Sequence, residues 1–360
     1  MIQVTRPFLP PREEYEAFIA GIWERNWLTN NGPLLVELEK QLKAFLGVNH
    51  LAMMTNGTIT LQAILKTLPR KGKILTTPFS YIATWSAILW EDFIPVFVDI
   101  DADTFNADPA QAEQYIDDQT VGILITHCFG VPCDVDAWEL ISQKHNLPVI
   151  YDAAHAFGVK VATKSVLEYG YASSLSFHAT KLFHTVEGGA VATGSATLDR
   201  EIQLRRNFGH DGPDRFSEVG VNGKNSEIHA AMGLVNLKHI DAILLSRREQ
   251  YQYYLDHLDQ EALGLKYQHV AENITYNYSY FPILLPSEES LLSLFTKLQQ
   301  KNIFPRRYFY PALNTLSFTK RFEGNTPIAD SISKRILCLP QFHEMTRQEQ
   351  DLVIETINNI

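Results

Sequence analysis

The 360-residue sequence predicts an α/β protein with a large, mainly parallel sheet covered by helices and a smaller C-terminal α+β domain. Three observations carry this expectation. Short runs rich in Val and Ile recur without clean polar alternation, as in strands buried on both faces. Segments with helical spacing separate them, giving the strand–helix–strand rhythm of parallel crossovers. After about residue 240 the rhythm continues on a smaller scale.

Taken in order, LVELEKQLKAFL (35–46) and TITLQAILKTL (58–68) place apolar residues three and four apart and predict helices. The strand candidates are KILTT (73–77), IPVFVDI (94–100), GILITH (122–127), PVIYDAA (148–154), SLSFHA (174–179) and GAVAT (189–193). Between them PCDVDAWELISQKHN (132–146) reads as a crossover helix. SRREQYQYYLDHLDQ (246–260) reads as a helix on a domain boundary, followed by YNYSYFPILL (276–285), the helical ESLLSLFTKLQQKN (289–302) and RRYFYPALN (306–314). The expected division is a large domain over 1–244 and a small one over 245–360. The sequence has no internal repeat and no low-complexity segment.

Composition narrows the function classes. With 45% hydrophobic and 20% charged residues the chain has the balance of a globular protein. A formal net charge of −10 argues against a nucleic-acid-binding face, so an anionic ligand needs local donors. Cys128, Cys133 and Cys338 are too few and scattered for a disulfide framework and read as free thiols in a reducing compartment. Cys128 and Cys133 lack the second pair that a zinc site needs. The start MIQVTRPFLPPREEYE lacks the apolar core of a signal peptide, and no apolar run is long enough to span a bilayer. The expectation is a cytoplasmic protein without nucleic-acid, membrane or metal partners.

In an open parallel sheet, ligands gather beyond the carboxyl ends of the strands. Three stretches fall there. In TNGTITL (55–61), Gly57 and Thr58 offer backbone N–H groups and a hydroxyl at a helix start, a setting for phosphate; an ordinary capped turn would read alike. In YDAAHAFG (151–158), Asp152 ends a buried run, where a carboxylate needs a partner, or it simply starts a helix; His155 could reach the same ligand or be structural. In SFHATKLFHTVEGGAVATG (176–194), Lys181 stands between a strand candidate and a glycine turn, 29 residues after Asp152, about the length of a strand–helix–strand passage. A lysine and a carboxylate on neighbouring strand ends, with phosphate at a helix start, form the arrangement pyridoxal phosphate requires. No GxGxxG, GxxxxGK[ST], HExxH or GxSxG occurs, which leaves dinucleotide, P-loop, zincin and hydrolase readings without support.

On these stretches, together with NNGPLLVELE (30–39), PFSYIAT (78–84), PVFVDID (95–101), VNGKNSEIHAAMGL (221–234) and ILCLPQF (336–342), the chain resembles the DegT/DnrJ/EryC1/StrS sugar aminotransferases. The resemblance implies a pyridoxal-phosphate-dependent fold of type I. It implies that Lys181 carries the cofactor, Ser176, Gly57 and Thr58 hold its phosphate, Tyr81 covers its ring and Asp152 pairs with the ring nitrogen. His155 occupies a place where many members have glutamine, beside the ring hydroxyl. Asn222 matches an asparagine that reaches the phosphate of a partner subunit, which implies a homodimer with shared sites. Lys224, on the substrate side, stands where many members carry arginine. A branch with histidine for the lysine performs dehydration; Lys181 favours transamination. The implied substrates are glutamate and a nucleotide-linked ketosugar. NWLTNNGPL, FHATKLFHTVEGG and RRYFYPALN look most like the members that make dTDP-4-amino-4,6-dideoxyglucose. Sister enzymes for 3-keto or UDP-linked sugars, or a cofactor-binding regulator of the same fold, are the alternatives. Arg306 and Arg307, beside Tyr308 and Tyr310, are the expected cationic patch for the diphosphate, or else a solvated pair beside core aromatics.

Overall fold

A computed structural model describes residues 1–319 and 322–359. Its centre is a seven-stranded sheet of β1 (His50–Met54), β2 (Lys73–Thr76), β3 (Ile94–Phe97), β4 (Thr120–Thr126), β5 (Val149–Asp152), β6 (Ala172–Ser176) and β7 (Gly189–Thr193), in the spatial order β1-β7-β6-β5-β4-β2-β3. Within β2–β6 every adjacent pair is parallel, and β7 runs antiparallel to both β6 and β1. The cause of the exception is the connection. Parallel neighbours need a crossover, usually a helix, whereas residues 177–188 form a loop that doubles back. The Phe177 amide donates to the Gly188 carbonyl at 2.8 Å and the Thr185 amide to the Phe177 carbonyl at 2.9 Å. A Cβ on Gly188 would lie 2.0 Å from Thr185 Oγ1, so this return admits only glycine.

All seven residues of β4 are buried, as expected for a strand covered on both faces. The helix Pro33–Leu46 supplies one covering layer. Its Leu35, Leu38, Leu42 and Leu46 form one stripe, Pro33 opens its first turn and Gly47, at φ +67°, closes its end. Each of these leucines contributes about 2–3 kcal/mol by leaving water. The helix Gly57–Leu65 starts at the C-terminal end of β1, where the Asn56 side chain accepts from the Ile59 amide.

The expected boundary at 244/245 falls inside the helix Ile240–His257. Its Ile240 packs into the core of the large sheet, while Tyr251 and Tyr254 pack into a second core. That core lies on an antiparallel sheet of Lys266–Tyr267, Phe281–Leu284 and Ile336–Leu339, backed by the helices Glu288–Gln300 and Arg347–Asn358. Ile2–Gln3 pairs in parallel with Ile303–Phe304, so the first residues join the C-terminal unit rather than the large one. RRYFYPALN, expected to continue the alternation, is mostly irregular; Arg306 alone bridges to Cys338, and a short 3-10 turn begins at Leu313.

All three cysteines are free and buried. Among the described residues no single helix is long and apolar enough to cross a membrane.

Candidate active site

The connectivity brings the ends of β1, β4, β5 and β6 and the start of β7 to one edge of the sheet, where the C-terminal unit faces them. Between them lies a cleft of about 590 Å³. Gly57, Thr58, Tyr81, Asp152, His155, Ser176 and Lys181 line it from the large unit, and Arg306, Tyr308 and Phe309 from the C-terminal one. Asn222, Lys224 and Arg307 do not line it.

One wall is a helix start. The Gly57 and Thr58 amides have no acceptor among the described residues, because the Asn56 side chain caps only Ile59. A Cβ on Gly57 would stand 2.9 Å from the Ser176 Cβ, so glycine allows the helix to begin this close to the end of β6. Thr60 Oγ1 donates to the Gly57 carbonyl at 2.6 Å and accepts from Ser174 Oγ at 2.5 Å, and the pair holds the turn from behind. Two free amides, the Thr58 and Ser176 hydroxyls and the positive end of a helix form a seat for a phosphate dianion.

The floor is Asp152. Its Oδ2 accepts from Thr84 Oγ1 at 2.7 Å and its Oδ1 from the Ala154 amide at 3.1 Å. Burial raises its pKa, while these two hydrogen bonds and the charge of Lys181 oppose the rise. Lys181 lies five residues beyond the end of β6, in a turn closed by its own amide on the His178 carbonyl at 2.9 Å. The expectation of a lysine at the strand end is corrected to this extent: the turn carries the amine over the cleft. Burial lowers the Lys181 pKa to about 8; Asp152 opposes the shift and Arg306 adds to it.

His155 is buried against aromatic rings. Phe309 stacks on it at 5.8 Å and Tyr280 lies 4.6 Å away, tilted. Burial, then the nearby Lys181, drives its pKa well below the usual imidazole value, so the ring is neutral. Its Nδ1 is buried without a hydrogen-bond partner among the described residues. Its carbonyl accepts from Asn277 Nδ2 and Ser279 Oγ, each at 2.8 Å, so the C-terminal unit fixes this residue. Tyr81 is 47% exposed, with its ring centroid 6.2 Å from that of Tyr308.

The two arginines separate. Arg306 lines the cleft, its guanidinium 4.3 Å from the Tyr308 ring centroid, with no ion pair among the described residues. Arg307 donates to Glu288 Oε1 at 2.9 Å and to the Lys334 carbonyl at 3.0 Å, and lies over Tyr310. The shared patch expected from sequence is thus split, because successive residues of an extended segment point to opposite sides. Lys224 Nζ donates to Asn222 Oδ1 at 2.7 Å and sits 4.5 Å from the Phe208 ring centroid, so this pair faces away from the cleft of its own chain.

Sequence reasoning assigned no role to Thr84, Ser80, Thr126, Phe309, Asn277 or Ser279. Ser80 precedes the N-cap Tyr81 of the helix Ile82–Trp90 and Thr84 lies in its first turn, so their spacing of four carried a signal only once that helix was known. The contacts of the others depend on segments far apart in the chain.

The residues present fit a pyridoxal phosphate: a buried carboxylate, a lysine whose pKa burial lowers to about 8, a phosphate seat and an imidazole nitrogen without a partner among the described residues surround one cleft. The sequence model of the DegT/DnrJ/EryC1/StrS aminotransferase family matches residues 11–358, and the chain belongs to that family, whose members depend on pyridoxal phosphate. Within it, the chain is 41% identical to a dTDP-4-amino-4,6-dideoxy-D-glucose transaminase of Shigella dysenteriae, over 100% of this chain and 99% of the relative. It is 38% identical to a protein of the same name from Escherichia coli, over 96% and 95%. Among solved structures, that of DesI in the presence of its TDP-sugar product superposes with a TM-score of 0.93 at 29% identity, over 99% of this chain and 92% of the other. Helicobacter pylori PseC shares the fold, with a TM-score of 0.92 at 23% identity over 99% and 98%.

Proposed function

We propose that this chain binds pyridoxal 5'-phosphate on Lys181 and moves an amino group from L-glutamate to carbon 4 of dTDP-4-keto-6-deoxy-D-glucose, giving dTDP-4-amino-4,6-dideoxy-D-glucose. The observation that carries this reading is full-length identity of 41% and 38% to transaminases named for that product, combined with the meeting of Lys181, Asp152 and the Gly57 helix start in one cleft.

The bound cofactor supplies an aldehyde that takes up the amino group and a ring that accepts the electron pair left when a carbon–hydrogen bond breaks. The Gly57 and Thr58 amides, with the Thr58 and Ser176 hydroxyls, bind its phosphate. Asp152 holds a proton on the ring nitrogen, and Tyr81 and His155 orient the ring. A Lys181 pKa of about 8 leaves a substantial share of the amine neutral near physiological pH. Once displaced by the donor, Nζ takes the proton from the amine-bearing carbon of glutamate, and in the second half-reaction delivers a proton to carbon 4 of the sugar. Arg306, without an ion pair among the described residues, receives the diphosphate, with Tyr308 beside it.

The active unit in this reading is a homodimer. Asn222 is exposed and turned from its own cleft, held by Lys224, and reaches the phosphate seat of a second copy. Exposed Trp23, Trp27, Leu28, Phe208, Phe216, Val219 and Val221 supply apolar surface on segments that adjoin residues 222–227.

Turnover with glutamate across a panel of nucleotide ketosugars tests the assignment. The dTDP-4-keto sugar should exceed UDP-linked or 3-keto analogues in kcat/KM by at least about tenfold, the worth of one good polar contact. A better 3-keto or UDP-linked acceptor would replace the named sugar, and no amination of any ketosugar would overturn the reading.

A further inference from the structure

Beside Asp152 three hydroxyls stand in file, and two of their residues, Ser80 and Thr126, also line the cleft. Thr84 Oγ1 is 2.7 Å from Asp152 Oδ2, Ser80 Oγ is 2.7 Å from Thr84 Oγ1, and Thr126 Oγ1 is 2.7 Å from Ser80 Oγ. All three residues are buried. They come from two elements: Ser80 and Thr84 flank the start of the helix Ile82–Trp90, and Thr126 ends β4 opposite Asp152 in the register of the sheet.

A hydroxyl has one hydrogen. With Asp152 ionised, Thr84 donates to the carboxylate, so Ser80 donates to Thr84 and Thr126 to Ser80. Every hydrogen then has an acceptor and every dipole points toward the negative charge. Were Asp152 protonated and donating to Thr84, the whole file would reverse, and the Thr126 hydrogen would lack an acceptor among the described residues. Within the protein the file is satisfied in one direction only, since a reversed Thr126 hydrogen would have to find its acceptor in the cleft that Ser80 and Thr126 also line.

We propose that Thr84, Ser80 and Thr126 form a head-to-tail hydroxyl chain that keeps Asp152 ionised and oriented in its buried position, so that Ser80 and Thr126, which do not touch the carboxylate, are positioning residues for transamination. The effect on Asp152 is a property of the folded chain; its consequence for the reaction rests on the function proposed above. Hydrogen bonds to a charged group are about twice as strong as neutral ones, and hydrogen bonds in file polarise one another.

The test follows the titration of Asp152 by NMR in the full chain carrying 13C-carboxyl aspartate, with the resonance assigned by Asp152→Asn, before and after addition of 15N-labelled pyridoxal phosphate. In the cofactor-free chain, Thr84→Val should raise the proton affinity of Asp152 at least about tenfold, while Thr84→Ser stays near the wild type. Ser80→Ala and Thr126→Val should raise it about two- to fourfold, in the same direction. In the loaded chain the 15N resonance of the ring should lose protonation in the same rank order. Should Thr84→Val fail to fold, Ser80→Ala and Thr126→Val still decide the matter. Unchanged Asp152 titration in both overturns the chain as a unit, even if Thr84→Val shifts it. A wild-type protein that takes up no pyridoxal phosphate contradicts the proposed function, whereas the cofactor-free titration still judges the hydroxyl chain.

Discussion

Replacing Lys181 by Met should stabilise the cofactor-free chain while abolishing its activity. Methionine keeps an unbranched stem of similar length and removes the charge. The lysine pKa is lowered from 10.5 to about 8 in the fold, first by burial and then by Arg306, against the pull of Asp152. A cation whose folded pKa lies below its unfolded value costs stability wherever it is charged, and the cost fades as pH rises from the folded value toward the unfolded one. At about 1.4 kcal/mol per pKa unit the penalty at pH 7 has a ceiling of about 3 kcal/mol, and roughly half of that once water in the open cleft screens the charge. Urea unfolding of both cofactor-free chains at several pH values reads it. The variant should be more stable by about 1.5–3 kcal/mol at pH 7, with the gain shrinking from pH 8 to pH 10.5. Better packing of the methionine would add a constant offset, so the pH dependence is diagnostic. A pH-independent difference, or a variant less stable at pH 7, would refute the account of a strained amine kept in reserve for chemistry.

Asp152→Asn should leave the fold intact and cut kcat by about a thousandfold, since a charge at contact distance in such a site is worth about 4 kcal/mol; near wild-type turnover removes its role. Because burial raises the Asp152 pKa, its charged form is a net cost above that pKa, so the same variant should gain cofactor-free stability as pH rises from acid to neutral, as melting curves will show. Mixed dimers of Asn222→Ala and Lys181→Ala chains should regain activity over Asn222→Ala alone, because one of the two sites then has both side chains intact. Absence of rescue in demonstrated mixed dimers excludes a shared site. Arg306→Ala should raise the KM for the nucleotide sugar at least about tenfold more than that for glutamate, whereas Arg307→Ala, which loses the Glu288 pair, should leave both within about threefold. Equal effects would return both arginines to the substrate.

The sheet was legible because buried parallel strands are continuous apolar runs, and the helix Pro33–Leu46 because its leucines form a single stripe. The helices Ile82–Trp90 and Glu227–Lys238 went unrecognised for the opposite reason. Each is buried on several sides, so no polar face sets the period. The reversed sense of β7 depends on how residues 177–188 fold back, which five small residues in GAVAT do not encode. Asp152 and Gly57 were readable as strand-end and helix-start residues and Lys181 by its place between two apolar runs, whereas Ser176 was singled out only by the family resemblance. The division between Arg306 and Arg307 required the pairing of Arg306 with Cys338, and the support of His155 required Asn277 and Ser279 from the other unit. Contacts between segments separated by tens of residues or by more than a hundred have no local pattern.

The most direct test of the account is to reduce the protein with borohydride after incubation with pyridoxal phosphate and map the modified peptide by mass spectrometry. The account predicts one pyridoxyl group per chain, on Lys181, with the visible absorbance of the lysine-bound cofactor lost in Lys181→Ala. A pyridoxyl group on another lysine, or none at all, would contradict it.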